Sequence, residues 1–124
     1  MIVLEKSEFE ILFYDLENGT KPAADFIETL QSKMMAKTLR LINMLHINGN
    51  ELREPYSKHL DDGIFELRVQ IGSDISRVLY FFMVGRKAIL THGFIKKTQT
   101  TPPSEIERAK KYRAEYLSRK ENQQ

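Results

Sequence analysis

The sequence contains no cysteine and no tryptophan, and it has only four prolines and six glycines. Without cysteine, the chain forms no disulfide and offers no thiolate as a nucleophile or metal ligand. No apolar run approaches the roughly 20 residues that a membrane-spanning helix needs. Residues 1–5 show neither the basic start nor the cleavage pattern of a signal peptide, so we expect a cytoplasmic protein.

Length and composition are typical of one globular domain. The chain has 124 residues, of which 41% are hydrophobic and 29% charged. This length supports a single hydrophobic core and leaves no room for a separate regulatory module. We therefore expect one domain over residues 1–124, with a polar C-terminal tail from about residue 118.

The net charge is only +2, but it is unevenly distributed. Residues 1–57 hold six Lys or Arg and nine Asp or Glu, a net charge of −3, whereas residues 58–124 hold thirteen and eight, a net charge of +5. Cations concentrated in one part of a molecule favour a polyanionic partner such as nucleic acid. A solvated basic surface explains the same asymmetry.

The N-terminal half predicts one strand and two helices. Residues 8–14 are typical of a strand. Apolar residues then recur at three- and four-residue spacing, which is typical of one face of a helix. We expect the two helices to separate near residues 31–33. The second should end at Gly49, where a left-handed cap needs no side chain.

The second half predicts a connection, three strands and a helix. Residues 50–62 are polar and end in a turn signal, so we expect an exposed connection. Ser104 and Glu107 have the spacing of a capping box at the start of the last helix, although Thr101 is an alternative cap. The three predicted strands are 64–71, 75–84 and 88–96.

Strand periodicity assigns side chains to the two faces of the sheet. If the loop between the first two of these strands has an even number of residues, residue 68 lies opposite residue 79. The apolar residues of both strands then share one face of the sheet. The core face then holds Phe65, Leu67, Val69, Ile71, Val78, Tyr80, Phe82 and Val84. The same rule across Gly85-Arg86 adds Ile89, Thr91, Gly93 and Ile95 to it.

The opposite face collects cationic groups, with Arg68, Arg77, His92 and Lys96 predicted to converge. Arginine matches phosphate oxygens with a planar fork of donors, and lysine beside other cations can transfer protons. Metal-free RNA cleavage needs the 2′-hydroxyl deprotonated and the charge on phosphorus stabilised. The aromatic rings predicted on this face, Phe81 and Phe94, are candidates for base stacking.

Each of these groups also has a purely structural explanation. Arg68 can pair with Glu66 or Asp74, His92 can be a hydrogen-bonded structural residue, and the two phenylalanines can pack under a helix. No pair among His46, His59 and His92 has metal-ligand spacing, and the chain has no glycine-rich phosphate loop. We therefore expect no metal and no cofactor.

Five segments in this order resemble the phage-derived HigB branch of the RelE/ParE toxin superfamily. Together they extend over nearly the whole chain. They are Lys58-x-Leu60, Gly63-Ile64-Phe65-Glu66-Leu67-Arg68, Arg77-Val78-Leu79-Tyr80-Phe81, His92-Gly93-Phe94-Ile95-Lys96-Lys97-Thr98, and Pro102 before a helix beginning near Ser104.

The resemblance implies an α+β fold, in which an N-terminal strand and a helical pair pack on a four-stranded, largely antiparallel sheet with a C-terminal helix. It also implies a toxin of a type II toxin-antitoxin system that cuts mRNA on the ribosome without metal and leaves a 2′,3′-cyclic phosphate. The implied partner is a HigA-like antitoxin with a helix-turn-helix.

By the same resemblance, five positions are candidate catalytic residues. Arg77 matches the family's phosphate-binding arginine, and Arg68 matches a basic residue that stabilises transition-state charge. Lys96 and Lys97 match the basic pair that closes the last strand. The general base stays open among His92, Lys97 and Lys58, because RelE has a lysine where Glu66 stands and a late tyrosine without a counterpart here.

Two other functions remain open at this stage. Relatives of the ParE type bind and poison DNA gyrase without cutting RNA. A third possibility is an inactive module that only binds the antitoxin.

Overall fold

The fold is described from a computed structural model that covers residues 8–97 and 100–122. The predictions for residues 1–5 and for Thr98 lie outside these residues. Five strands and three helices form in the described part of the chain. The strands are β1 (Glu10–Phe13), β2 (Ser57–Asp61), β3 (Ile64–Ile71), β4 (Asp74–Met83) and β5 (Lys87–Lys96). The helices are α1 (Pro22–Glu28), α2 (Ser32–Asn48) and α3 (Pro103–Asn122).

The strands form one mixed sheet in the order β1-β5-β4-β3-β2. The three pairs formed among β2, β3, β4 and β5 are antiparallel, and β1 pairs with β5 in parallel. The predicted α+β class and the C-terminal helix are therefore confirmed. The sheet differs from the prediction in having a fifth strand.

Helices cover both faces of the sheet. On one face, α1 and α2 pack over a cluster that includes Leu41, Leu45, Leu67 and Tyr80. On the other, Ala109 and Tyr116 of α3 pack over residues that include Leu79 and Phe81 of β4. Each sheet face thus has its own apolar core.

The two N-terminal helices form where the apolar spacing predicts them. Pro22 opens α1, at a position where the missing N–H costs no helical hydrogen bond. The break between α1 and α2 spans residues 29–31, and α2 is followed by Gly49, whose φ is +53°. That angle favours glycine, so the predicted helix end is confirmed.

β2 lies within the segment predicted as an exposed connection, so the prediction of four strands was one short. Its sequence, Ser57 to Asp61, is mostly polar and shows no apolar alternation. As an edge strand, β2 is held by backbone pairing to β3 and has three exposed residues among its five. Hydrophobic pattern alone does not reveal such a strand.

The β3–β4 register is two residues away from the predicted one. Arg68 lies opposite Arg77, not opposite Leu79, because the turn consists of Gly72 and Ser73. A shift of two residues leaves every side chain on its predicted face. Leu67, Val69, Val78 and Tyr80 accordingly share the core under α1 and α2.

The prediction for β5 was correct for one half of the strand. An irregularity in the ladder between Leu79 and Tyr80 leaves Thr91 as an extra residue, so that Leu79 pairs with His92 and Tyr80 with Leu90. In the part of β5 before this bulge, the side chains lie on the faces opposite to those predicted. Leu90 lies under α1 and α2, and Ile89 faces α3. An extra residue in one strand reverses the alternation on one side of it.

Two residues predicted in the core are exposed. Val84 is 91% exposed because β4 ends at Met83, and Ile95 is 59% exposed near the end of β5. α3 begins at Pro103, so Ser104 lies inside the helix rather than at its cap, and the helix continues past residue 118 to Asn122. None of the described helices combines the length and apolar content required to cross a membrane.

Candidate functional site

Arg68 and Arg77 meet across the β3–β4 ladder around one carboxylate. Their Cα atoms are partners in the antiparallel register. Glu66, two residues before Arg68 and therefore on the same face, lies between them. Its carboxylate oxygens are 3.5 Å from Nε of Arg68 and 3.5 Å from Nε of Arg77.

The third cation of this group comes from β5. Lys96 donates a hydrogen bond of 3.3 Å from Nζ to the hydroxyl of Thr101, and that hydroxyl in turn donates to Glu66. Thr101 therefore links the lysine to the carboxylate. We call Glu66, Arg68, Arg77, Lys96 and Thr101 the Glu66 cluster.

Burial within the Glu66 cluster is uneven. The exposed fraction is 2% for Glu66, 1% for Arg77 and 5% for Lys96, whereas the side chain of Arg68 keeps 23%. Arg68 also reaches outward to Glu54, at 3.0 Å. Of the cluster's three cations, Arg68 is therefore the one most accessible to a ligand.

The electrostatics of the cluster favour an added anion. Burial lowers the pKa of Arg77, an effect that Glu66 opposes and Arg68 reinforces. Burial also lowers the pKa of Lys96, and Arg77 adds to that decrease. Three cations share one buried carboxylate, so positive charge is in excess in a place where its desolvation is costly.

The structure places His92 against α3. Its Nε2 is 3.6 Å from Glu105, its Nδ1 is 3.1 Å from the hydroxyl of Thr91, and its ring lies edge-on to Tyr112. Burial, with a smaller effect from Arg108, lowers the pKa of His92 to about 4. The imidazole is therefore neutral at pH 7 and 3% exposed.

The remaining predicted residues fall into different environments. Lys97 is exposed just after the end of β5, next to the buried Lys96. Phe81 is 2% exposed and packs edge-on against Tyr116 of α3, which removes it as a base-stacking ring. Phe94 is half-buried beside His92, at 6.0 Å between ring centres. The predicted convergence thus brings together Arg68, Arg77 and Lys96, while His92 lies at α3.

A cleft opens beside the two arginines. It has a volume of about 280 Å³, and the seven residues that line it include three cations and no carboxylate. They are Lys37, Leu41, Pro55, Tyr56, Arg68, Gln70 and Arg77. The cleft is the place where the Glu66 cluster meets the surface, and its lining is suited to an anion.

Sequence reasoning did not find Lys37 or Tyr56. Lys37 comes from α2, which packs on the other face of the sheet, and Tyr56 comes from the segment before β2. No motif spacing connects either residue to Arg68. Lys37 and Tyr56 lie near Arg68 at the point where the β2–β3 pairing stops, and the sequence pattern did not indicate that point.

A larger groove lies between the segment after β1 and the end of α3. Its volume is about 840 Å³, and its lining mixes Glu17 and Glu115 with Arg119. Arg119 is already paired with Asp15 at 3.5 Å. Because two carboxylates line this groove and none lines the cleft beside Arg68, the groove is the weaker candidate for an anionic ligand.

Comparison with known families identifies the class of protein. Residues 25–114 match the model of the family described as "Phage derived protein Gp49-like (DUF891)", and the chain belongs to this family. The family is part of the RelE/ParE-like toxin group. No curated protein matches the sequence. The matched residues extend from α1 into α3 and include every member of the Glu66 cluster.

Proposed function

We propose that this protein is the toxin of a type II toxin-antitoxin pair and that it acts as a metal-independent, ribosome-dependent mRNA endonuclease of the HigB type. Family membership supports the general class. The observation that carries the finer proposal is the surplus of positive charge around Glu66, opening at Arg68 into a cleft lined by cations.

In the proposed reaction the 2′-hydroxyl of a ribose attacks the adjacent phosphorus, and the bond from phosphorus to the 5′-oxygen of the next nucleotide breaks. The products are a 2′,3′-cyclic phosphate and a 5′-hydroxyl end. Charge on the phosphoryl oxygens increases during the attack, and preorganised cations stabilise it most effectively in a water-poor site. Arg68 and Arg77, which both line the cleft, supply these cations.

Lys96 acts indirectly in this proposal. It is buried beside Thr101 and does not line the cleft, so its charge raises the local positive potential and holds Glu66 through the threonine hydroxyl. The proton of the 2′-hydroxyl needs an acceptor, for which His92, Lys97 and Lys58 are the candidates. Lys97 and Lys58 are exposed, whereas His92 is neutral but covered by α3.

The proposed protein partner is a HigA-like antitoxin with a helix-turn-helix, encoded beside the toxin. The test of function is to induce the protein in growing cells and to map transcript ends. We expect growth arrest and new ends within translated messages for the wild type and for Lys111→Gln, which removes an exposed cation from α3. We expect neither for Arg68→Gln.

One observation favours a second candidate function. Arg77, Lys96 and His92, three of the five predicted catalytic residues, are each no more than 5% exposed. A toxin that does not cut RNA, such as a ParE-like inhibitor of DNA gyrase, needs no accessible catalytic cations. Growth arrest with intact messages and double-strand DNA breaks would identify it. A folded protein that binds the antitoxin but causes no arrest would identify an inactive module.

A further inference from the structure

We propose that Lys37 and Tyr56 complete the cleft as a subsite for single-stranded RNA. Lys37 binds a phosphate adjacent to the one held by Arg68 and Arg77, and Tyr56 stacks on a neighbouring base. The inference rests on the proposed function, because it assigns the substrate contacts of the same cleft. It adds two residues from outside β3, β4 and β5.

Lys37 reaches the cleft because the pairing between β2 and β3 stops early. The ladder ends at Ser57 and Leu67, and one further backbone bond joins the N–H of Arg68 to the carbonyl of Tyr56. Beyond that point, Nζ of Lys37 donates to the carbonyl of Gln70. A cation from the helical layer is thereby held at the sheet edge, next to the arginine face.

Tyr56 is an exposed aromatic ring on a fixed backbone. Its side chain is on the surface, and the residue is 43% exposed. Its N–H donates to the carbonyl of Arg53 at 3.0 Å, and its own carbonyl accepts from Arg68 at 2.8 Å. An exposed ring fixed beside cations is the arrangement on which single-stranded nucleic acids stack their bases.

Two observations show that the cleft is suited to an anion. The seven lining residues bring three cations and no carboxylate to a volume of about 280 Å³. In addition, Nε of Arg77 is buried and finds no hydrogen-bond acceptor among the described residues, although the Glu66 carboxylate is 3.5 Å away. Because that nitrogen is buried, a ligand does not reach it directly, but the charge of the Arg77 guanidinium adds to the positive potential of the cleft that it lines.

The size of the cleft favours single-stranded over double-stranded RNA. The cleft is slightly smaller than typical small-molecule pockets, which begin at about 300 Å³. It suits one ribose with its two flanking phosphates, whereas a duplex presents its bases stacked and unavailable to Tyr56. We therefore assign single-stranded RNA as the ligand.

The experiment measures binding of a short, fluorescein-labelled, 2′-O-methylated RNA, which cannot be cleaved because it lacks the attacking hydroxyl. Fluorescence anisotropy gives Kd for the purified protein as a function of KCl concentration. The variants are Lys37→Gln, Tyr56→Leu, Tyr56→Phe and Arg68→Gln, with Lys111→Gln as the charge-matched control. Circular dichroism verifies that each variant is folded.

We expect Lys37→Gln to weaken binding and to reduce the slope of log Kd against log salt by ~0.7, the value for one phosphate contact in single strands. Tyr56→Leu should weaken binding at least about fivefold, whereas Tyr56→Phe keeps the stacking ring and should bind as the wild type does. Lys111→Gln should change neither quantity.

The subsite is overturned if Lys37→Gln and Tyr56→Leu bind the RNA like Lys111→Gln while Arg68→Gln binds it weakly. The proposed function stands in that case. If Arg68→Gln also binds like the control, or the wild type does not bind at low salt, the cleft does not bind free single-stranded RNA and the subsite is again overturned. The proposed function, which requires the ribosome, is tested separately by the transcript-end experiment.

Discussion

Arg68 and Arg77 are directly opposite each other in the β3–β4 ladder, yet one is 23% exposed and the other 1%. The β2 edge of the sheet explains the difference. Arg68 lies where the pairing with β2 ends, next to an open cleft, whereas Arg77 is one strand further inside. Two arginines of one cross-strand pair therefore have separable roles.

The first prediction separates activity from stability in this pair. Arg68→Gln should abolish RNA cleavage while lowering the free energy of unfolding by less than about 1 kcal/mol, because partly exposed ion pairs contribute little. Arg77→Gln should cost about 3 kcal/mol, because Arg77 and Glu66 are both buried and removing one partner of a buried ion pair leaves the other uncompensated. Urea unfolding of the two variants checks both values, and equal losses would contradict the assignment.

The second prediction concerns Glu66 as the counter-charge of the cluster. Glu66→Gln should lower the free energy of unfolding by about 3 kcal/mol, since Arg77 then lies buried without its carboxylate partner. Glu54→Gln is the control, because Glu54 is exposed and its pair with Arg68 contributes less than about 1 kcal/mol. In a double-mutant cycle, the losses from Glu66→Gln and Arg77→Gln should not add, and additivity would show that the two groups do not interact.

The third prediction is a pH dependence from His92. Its pKa is about 4 in the folded protein and 6.5 in the unfolded chain, so the folded state binds fewer protons between these values. Stability should therefore fall as pH decreases from 6.5 to 4, by at most about 3 kcal/mol, and the contribution of His92 should level off below pH 4.

Comparison with variants isolates this contribution. In urea unfolding at a series of pH values, His92→Asn should lose the part of the slope that lies between pH 6.5 and 4. His59→Asn, which changes an exposed histidine, should keep it. Identical slopes in the wild type and His92→Asn would mean that His92 is not buried as a neutral group.

The fourth prediction concerns Gly93, where α1 approaches β5 closely. A Cβ atom on Gly93 would lie 2.2 Å from Cδ2 of Phe26, so Gly93→Ala must displace the ring. Overpacking of this kind costs about 1–3 kcal/mol. Adding Phe26→Ala removes the obstacle, so the double variant should be more stable than the sum of the single changes predicts. A stability of Gly93→Ala equal to that of the wild type would contradict the close contact.

The helices and the face assignment could be predicted from the sequence because they follow from apolar spacing. The segment around Phe65 to Ile71 alternates so regularly that its face was correct although the register was two residues off. Arg68 and Arg77 consequently share a face in the prediction and in the structure. Periodicity specifies the face of a strand more firmly than the residue opposite it.

The rest depends on tertiary packing that the pattern does not encode. The bulge at Thr91 exchanges Ile89 and Leu90, and the polar strand β2 has no apolar alternation. The depth of the cluster was also missed, since Arg77 and Lys96 are covered rather than displayed. Lys37 enters the cleft only because β2 stops pairing at Ser57, a boundary without a signal in the sequence.

The central claim is that the cation-lined cleft beside Arg68 supports the cleavage of RNA. The most direct measurement incubates the purified protein with ribosomes programmed with a defined message and analyses the new RNA ends. We predict fragments ending in a 2′,3′-cyclic phosphate for the wild type and Lys111→Gln, and none for Arg68→Gln. Intact message with the folded wild type, or equal cleavage by Arg68→Gln, would contradict the claim.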